Sequence, residues 1–133
     1  MTQTIERPIR ILCCDDDSSI REFLRAVIAS VVVAEITTCE DGLEGMKLVS
    51  ENQYDIVISD FNMNIKNGSG IDLYNYIKDH NIKVPFLLFT SDFYLDFDHY
   101  SSEENFKYID KLRFEDLLTQ VKAICARQFN SEL

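Results

Sequence analysis

The sequence predicts an α/β protein in which one parallel β-sheet is covered by helices on both faces. Short apolar runs alternate with helical patterns five times along the chain, and this alternation is typical of parallel strands joined by crossover helices. The chain has 133 residues, which is the size of one domain. No repeat and no Pro/Gly/Ser-rich linker divides it. We therefore expect a single doubly wound domain.

The first four predicted elements are two strands and two helices. Residues 9–14 form a continuous apolar run, as buried parallel strands do. A helix is predicted over residues 18–29, and the sequence from Ser19 to Glu22 fits a capping box. Residues 31–38 predict the second strand. An Asp-Gly turn then leads into a helix that ends near Glu51.

The second half of the chain continues the alternation. The predicted elements are a strand at 56–59, a loop at 60–70, a helix at 71–79, a strand at 86–89 opened by Pro85, a strand at 108–110, and a final helix with apolar residues at Phe114, Leu117, Leu118, Val121, Ile124 and Cys125. Residues 92–105 are acidic and aromatic and have no clear period. They are the weakest part of the pattern.

Charge and composition exclude several classes of protein. The 13 basic and 23 acidic residues give a net charge of −10, so nucleic acid and membrane surfaces are poor partners and a cation is a better one. No apolar run approaches the roughly 20 residues that span a bilayer, and the N-terminus has no signal-peptide core. We expect a cytoplasmic protein whose four cysteines are buried reduced thiols, with Cys13 and Cys14 facing opposite sides of a strand.

Polar residues follow four of the predicted strands. They are Asp15, Asp16 and Asp17 after the first, Asp60 after the third, Thr90 and Ser91 after the fourth, and Lys111 after the fifth. Each has a plainer explanation when taken alone: aspartates suit a helix N-terminus or a turn, and a lysine suits a solvated surface. Together they would meet at one sheet edge, where ligands bind in such folds. Crowded carboxylates favour Mg²⁺. The Lys111 ammonium suits either Asp60 or a phosphoryl oxygen, and the Thr90 hydroxyl suits another phosphoryl oxygen.

With these residues in place, the chain matches the motifs of a known family. It resembles the receiver domain of bacterial two-component response regulators, from about residue 9 to residue 128. The motifs are ILCCDDD, EDGLEGMKLV, YDIVISDFNM, VPFLLFTS and YIDK. The resemblance implies a flavodoxin-like fold with strand order 2-1-3-4-5, similar to single-domain chemotaxis regulators.

The resemblance also implies a role for each matching residue. Asp15 and Asp16 match the acidic pair that binds Mg²⁺, and Asp60 matches the aspartate that accepts a phosphoryl group. Asn62 matches the residue whose backbone carbonyl completes the metal ligands. The other matches are Thr90 for the switch hydroxyl, Lys111 for the site lysine, Tyr108 for the aromatic residue that moves with the hydroxyl, and Asn62 and Asp92 for the two positions that tune dephosphorylation.

Three positions depart from the family pattern. Asn64 stands where a proline is usual, and Leu112 stands where a proline with a cis bond is usual. A non-proline cis bond costs about 2.5–4 kcal/mol, so a trans bond with a different direction for Lys111 is an alternative to the family's cis bond, and the sequence leaves the isomer open. The largest departure is an atypical fourth helix in residues 92–105. There Phe93, Tyr94, Phe97 and Tyr100 form either a core stripe or an exposed aromatic and acidic surface.

Three hypotheses about function follow. The first is a phosphorylation-dependent switch that takes its phosphoryl group on Asp60 from a histidine kinase or a histidine phosphotransfer protein and then binds an unknown target. The second is a phosphorylation-independent adaptor. The third, a turnover phosphatase, is disfavoured because it needs an acid/base aspartate where the chain has Asn62. We therefore expect a signalling domain that is not an enzyme.

The expected organisation is an N-terminal extension at 1–8, a receiver domain at 9–129 and a tail at 130–133. Because so few residues follow the domain, we expect a stand-alone receiver that contacts no DNA. The alternative is a piece of a longer regulator or hybrid kinase. No long exposed apolar stripe is evident, which favours a monomer.

Overall fold

Five parallel strands form one sheet in the order β2-β1-β3-β4-β5 in the computed structural model. The strands are β1 (Ile9–Cys14), β2 (Ala34–Cys39), β3 (Ile56–Ser59), β4 (Phe86–Thr90) and β5 (Phe106–Asp110). The structure describes residues 7–63, 65–91, 100 and 103–132, apart from the side chains of residues 65 and 129–132. The predicted doubly wound, flavodoxin-like fold and its strand order are confirmed.

Four α-helices lie on the two faces of the sheet in the described part of the chain. They are α1 (Ser18–Ala29), α2 (Gly42–Glu51), α3 (Gly70–Asp79) and α4 (Phe114–Glu132). Short 3-10 turns at Ile65–Asn67 and Lys111–Arg113 precede α3 and α4. None of these helices combines the length and the apolar character needed to cross a membrane.

Each face of the sheet has its own apolar core. On one face, α1 and α4 pack against the strands through Leu24, Ile28, Leu117 and Val121. On the other face, α2 and α3 contribute Val49, Leu73 and Ile77. Cys13 lies in the first core and Cys14 in the second, as strand alternation predicts. All four cysteines are buried free thiols.

The predicted start of the second strand was wrong. Val31 and Val32 do not belong to the strand, because their amides donate to the carbonyl of Ile28 and close the end of α1. The carbonyl of Val33 already accepts from the amide of Ile9 at 2.9 Å, just before the strand begins. The side chain of Val33 is 70% exposed. The β-branched residues Val31 and Val32 therefore close the end of α1, and the strand begins at Ala34.

The bounds of β1, α1 and β3 are as predicted, and other boundaries differ by one or two residues. The strands β4 and β5 include Thr90 and Phe106, and α3 begins at Gly70. The predicted capping box at Ser19 was also wrong. Asp17 caps α1 instead, because its carboxylate accepts hydrogen bonds from the amide (2.9 Å) and the hydroxyl (2.6 Å) of Ser19.

Most of the predicted atypical fourth helix lies outside the described residues, as does Asn64. Of the four aromatic residues in the predicted stripe, Tyr100 is described. Its ring stands edge-on to Tyr74, with centroids 5.7 Å apart, and lies 5.3 Å from the ring of Phe106. Tyr100 therefore packs against the core formed with α3 and β5, which agrees with the core interpretation at that position.

Candidate functional site

The carboxyl ends of the strands place the predicted site residues at one edge of the sheet. Asp15 follows β1, and its amide donates to the carbonyl of Cys39 at 3.0 Å. Asp60 follows β3, and its amide donates to the carbonyl of Cys14 at 2.9 Å. These two bonds extend the parallel ladder by one step beyond the strands, so the backbones of both aspartates are held by the sheet itself.

Three carboxylates converge at this edge. Oxygen atoms of Asp15, Asp16 and Asp60 all lie within 4.8 Å of one another. Asp15 is 2% exposed and Asp60 is 7% exposed, whereas Asp16 is open to solvent. Like charges so close together repel, and burial increases the cost of keeping them ionised. The group therefore needs a cation.

Lys111 supplies one such cation from the end of β5. Its Nζ lies 2.8 Å from Asp15 Oδ2 and 2.9 Å from Asp60 Oδ2. The bond between Lys111 and Leu112, whose isomer the sequence left open, is trans. The long side chain of Lys111 reaches both carboxylates across this trans bond, and its contact with Asp60 is one of the two pairings that the sequence suggested.

The pKa values of this group reflect burial and pairing. Burial raises the pKa of the Asp15 carboxyl, and the hydrogen bond from Lys111 offsets only part of that rise. Burial acts to lower the pKa of Lys111, but its hydrogen bonds to Asp15 and Asp60 outweigh burial and leave that pKa raised. Lys111 is therefore a fixed positive charge at neutral pH.

Asp17 does not join the other two aspartates of its run. Its carboxylate turns to the N-terminus of α1, where hydrogen bonds from Ser19 lower its pKa. The amide of Asp17 also donates to Asp15 Oδ1 at 3.0 Å. The run of three acids therefore combines two carboxylates at the site with one helix cap that steadies Asp15.

Of the two predicted tuning positions, Asn62 lies within the described residues. Asn62 is exposed, and its amide lies 3.4 Å from Asp60 Oδ1. Asp92, predicted as the second tuning position, lies outside the described residues. The loop that carries Asn62 is held at its far end, because the amide of Gly42 donates to the carbonyl of Gly68 at 3.1 Å. A hydrogen bond of 3.2 Å from Asn67 to Asp41 adds a second tie.

Thr90 and Tyr108 occupy the two strands on the Lys111 side. Thr90 ends β4 opposite Asp110 and is fully buried. Tyr108 is half-buried on β5, opposite Leu88, and packs against the core on the α2 and α3 face. Both residues therefore lie in the strands that lead to the site.

The sequence analysis overlooked one residue in contact with the site. Arg21, on α1, donates from Nη1 to the carbonyl of Asp15 at 2.8 Å and from Nη2 to Glu40 Oε1 at 3.3 Å. Its side chain is 18% exposed. The available signal was weak: an arginine six residues after Asp15 fits an ordinary exposed helical position.

The donor set fits a hard divalent cation. Asp15, Asp16 and Asp60 offer carboxylate oxygens at one partly open site, and Mg²⁺ prefers oxygen ligands together with several waters. Zinc is a poorer match to these residues, because the group contains neither cysteine nor histidine. The arrangement can therefore hold Mg²⁺ beside an ionised carboxylate and a fixed ammonium.

Known proteins match both the sequence and the fold. A probable chemotaxis protein CheY from Rhizobium etli is 31% identical over 88 residues, covering 66% of this chain and 68% of that protein. An uncharacterized response regulatory protein from Staphylococcus epidermidis is 30% identical over 114 residues, which is 82% of this chain. The chain spans 45% of the length of that relative.

A solved structure agrees with these relatives. The response regulator TrrA from Thermotoga maritima, solved in complex with Mg²⁺ and BeF, is 30% identical and has a TM-score of 0.70. The match covers 87% of this chain and 98% of that one. The family described as the response regulator receiver domain matches residues 11–122. This chain therefore belongs to the response regulator receiver domain family, the signalling domains of two-component systems.

Proposed function

We propose that this protein is a phosphorylation-dependent switch that accepts a phosphoryl group on Asp60. One observation carries the proposal: the Asp60 carboxylate lies within 4.8 Å of the carboxylates of Asp15 and Asp16 and 2.9 Å from Lys111 Nζ. An ionised carboxylate is already a nucleophile, so no neighbouring base is required.

The reaction follows from these groups. An oxygen of Asp60 attacks the phosphorus of a phosphohistidine, a P–O bond forms, and the P–N bond breaks with its electron pair returning to the imidazole. Asp15, Asp16, Asp60 and the backbone carbonyl of Asn62 would hold Mg²⁺, which neutralises charge on the phosphoryl oxygens when it is bound. Lys111 pairs with a further oxygen. Water later hydrolyses the acyl phosphate and restores the carboxylate.

Phosphorylation of Asp60 changes the conformation of residues in the neighbouring strands β4 and β5. In this proposal the Thr90 hydroxyl moves toward the phosphoryl group, Tyr108 repacks, and the surface around β4 and β5 changes. The donor partner is a histidine kinase or a histidine phosphotransfer protein, and the recipient is a protein of unknown identity. The domain promotes only its own phosphorylation and dephosphorylation, with Asn62 and Asp92 tuning the second step.

The test is the intact mass of the protein after incubation with acetyl phosphate and Mg²⁺. We expect one added phosphoryl group on the wild type, none after chelation of Mg²⁺, and none on Asp60→Asn. Asp79→Asn is the matched control: it removes the same charge from an exposed aspartate at the end of α3. This variant should be modified as the wild type is.

Two results would contradict the proposal. If Asp60→Asn were phosphorylated to the same extent as the wild type, the acceptor would be a residue other than Asp60. Absence of any adduct on the wild type, in time points short enough to detect rapid hydrolysis, would favour the phosphorylation-independent adaptor.

A further inference from the structure

Arg21 ties two loops of the acidic edge together. One arm of its guanidinium donates to the carbonyl of Asp15 in the β1–α1 loop at 2.8 Å, and the other reaches Glu40 in the β2–α2 loop at 3.3 Å. The side chain is 18% exposed, whereas Glu40 is 68% exposed. A planar fork with several donors suits such a two-point contact, which a lysine cannot reproduce.

The bond to Asp15 restrains the backbone between two of the carboxylates. The amide of Asp15 is held by Cys39, and its carbonyl is held by Arg21. That carbonyl belongs to the peptide unit that joins Asp15 to Asp16. With both ends restrained, the turn that presents the exposed Asp16 beside the buried Asp15 has its direction set before any ligand arrives.

We propose that Arg21 is a positioning residue for divalent-cation binding and acts by holding the Asp15–Asp16 turn in its binding geometry. The inference rests on the metal site of the proposed function and adds a residue that binds no metal itself. Groups that orient metal ligands usually change metal affinity about 10- to 100-fold when they are removed.

The sign of the effect separates positioning from simple charge. Arg21 is a cation next to an acidic group, so its charge alone repels Mg²⁺ and its removal would tighten binding. Positioning has the opposite consequence, because a freer turn must be ordered when the cation binds. A weaker affinity after removal of Arg21 therefore cannot result from the lost charge.

The experiment is titration calorimetry of Mg²⁺ into the unphosphorylated protein at fixed ionic strength. We expect Arg21→Met to weaken Mg²⁺ binding about tenfold. Arg25→Met is the matched control: Arg25 lies one turn further along α1 and donates to the carbonyl of Ile36 at 3.1 Å. The Arg25→Met variant should bind Mg²⁺ as tightly as the wild type, or slightly more tightly. Arg21→Lys keeps the charge but loses the fork, so it should also bind more weakly.

A second readout excludes a general folding defect. In phosphorylation by acetyl phosphate, Arg21→Met should need about tenfold more Mg²⁺ for half the maximal rate, with a near-normal rate at saturation. A folding defect would instead lower the saturated rate. If Arg21→Met does not fold, Arg21→Lys carries the same comparison.

The inference is overturned if both Arg21 variants bind Mg²⁺ at least as tightly as the wild type. It is also overturned if the shift is the same in Arg25→Met. A wild type that takes up no Mg²⁺ would remove the proposed metal site itself, and the inference with it.

Discussion

Lys111 is the residue on which the electrostatics of the site depend. Its ammonium lies within 3 Å of two carboxylates that are almost fully buried, at 2.8 Å from Asp15 and 2.9 Å from Asp60. Without it, the two acids would face each other across a desolvated gap. Breaking a buried pair by removing one partner is costly for this reason.

Replacing Lys111 by methionine should therefore destabilise the metal-free protein. We expect Lys111→Met to lower the free energy of unfolding by about 2–4 kcal/mol in the presence of a chelator, measured by urea denaturation. The same variant should bind Mg²⁺ more tightly than the wild type, because a competing cation has been removed. Lys107→Met, at an exposed position of β5, should change neither quantity. Unchanged stability in Lys111→Met would show that the two acids do not depend on Lys111.

Single residues also show what a sequence pattern can and cannot reveal. The acids, the hydroxyl and the lysine were predicted because each follows a strand. Arg21 was missed because its contact depends on how α1 lies over the β1–α1 loop, which helical spacing does not specify. The cap of α1 was assigned to Ser19 by motif, whereas the carboxylate of Asp17, one position before the helix, is the side chain that accepts the hydrogen bonds.

At the element scale, the entry from β3 into α3 is a closely packed junction. Ser69 and Asp72 form a capping box at this helix. The amide of Gly70 donates to the carbonyl of Phe61 at 3.0 Å, which draws the start of α3 against the backbone of Asp60. A Cβ atom built on Gly70 would lie 2.1 Å from the carbonyl oxygen of Asp60. Real contacts do not come so close, so only glycine fits here.

Gly70→Ala should accordingly displace the loop that carries Asp60. We expect a loss of about 2–3 kcal/mol in the free energy of unfolding, as overpacking against a fixed backbone produces, together with slower phosphorylation. Gly45→Ala is the control, because there the nearest atom is a terminal carbon of the Leu73 side chain at 3.0 Å, followed by Cys14 Sγ at 3.3 Å, and no backbone atom lies as close as at Gly70. In α2 the gain in helix propensity, up to about 1 kcal/mol, should keep the change small. Equal effects of the two variants would refute this account of the junction.

Element boundaries were predicted less well than element types. Apolar runs identified β1, β3 and β4 because these strands are buried on both faces. The edge strands β2 and β5 are partly exposed, and their bounds were predicted less exactly. The start of β2 was misplaced because Val31 and Val32 are as β-branched as a strand but are used to close α1. The residues that lead into β5 gave no periodic signal because they are largely polar.

At the scale of the whole molecule, a second group of charged residues lies at the opposite edge of the sheet from the acidic group. At the amino ends of the strands, Asp55 accepts both arms of Arg7 (2.9 and 3.1 Å) and the amide of Arg10 (2.8 Å). Burial acts to raise the pKa of Asp55, but the bonds from Arg7 and Arg10 outweigh burial and hold that pKa below its usual value. These bonds link the chain before β1 to the start of β3.

A lowered folded-state pKa makes this contribution sensitive to acid. It is fully present above the ordinary pKa of about 3.9 and is lost as the pH falls through the lower folded value. We expect Asp55→Asn to cost about 1 kcal/mol at pH 7, a modest value because Arg7 is half-exposed. The difference from the wild type should shrink below about pH 4. Urea denaturation between pH 7 and 3.5 measures it, with Asp79→Asn as control. A difference that grows in acid would contradict the assigned direction.

For the molecule as a whole, most of the architecture could be predicted from the sequence. Five alternations of strand and helix predicted the doubly wound sheet, and the family motifs implied its strand order, both of which the structure has. The convergence of Asp15, Asp60 and Lys111 follows from that topology, because parallel strands end at one edge. The precise contact of Lys111 with both acids did not follow from it, since it depends on the path of the chain after β5.

The central claim is that Asp60 carries the phosphoryl group. The most direct measurement is reduction of the phosphorylated protein with borohydride, which converts an aspartyl phosphate to homoserine, followed by peptide sequencing. We predict homoserine at position 60 in the sample treated with acetyl phosphate and Mg²⁺, and aspartate there in the untreated sample. Homoserine at position 15, 16 or 17, with aspartate intact at position 60, would contradict the claim.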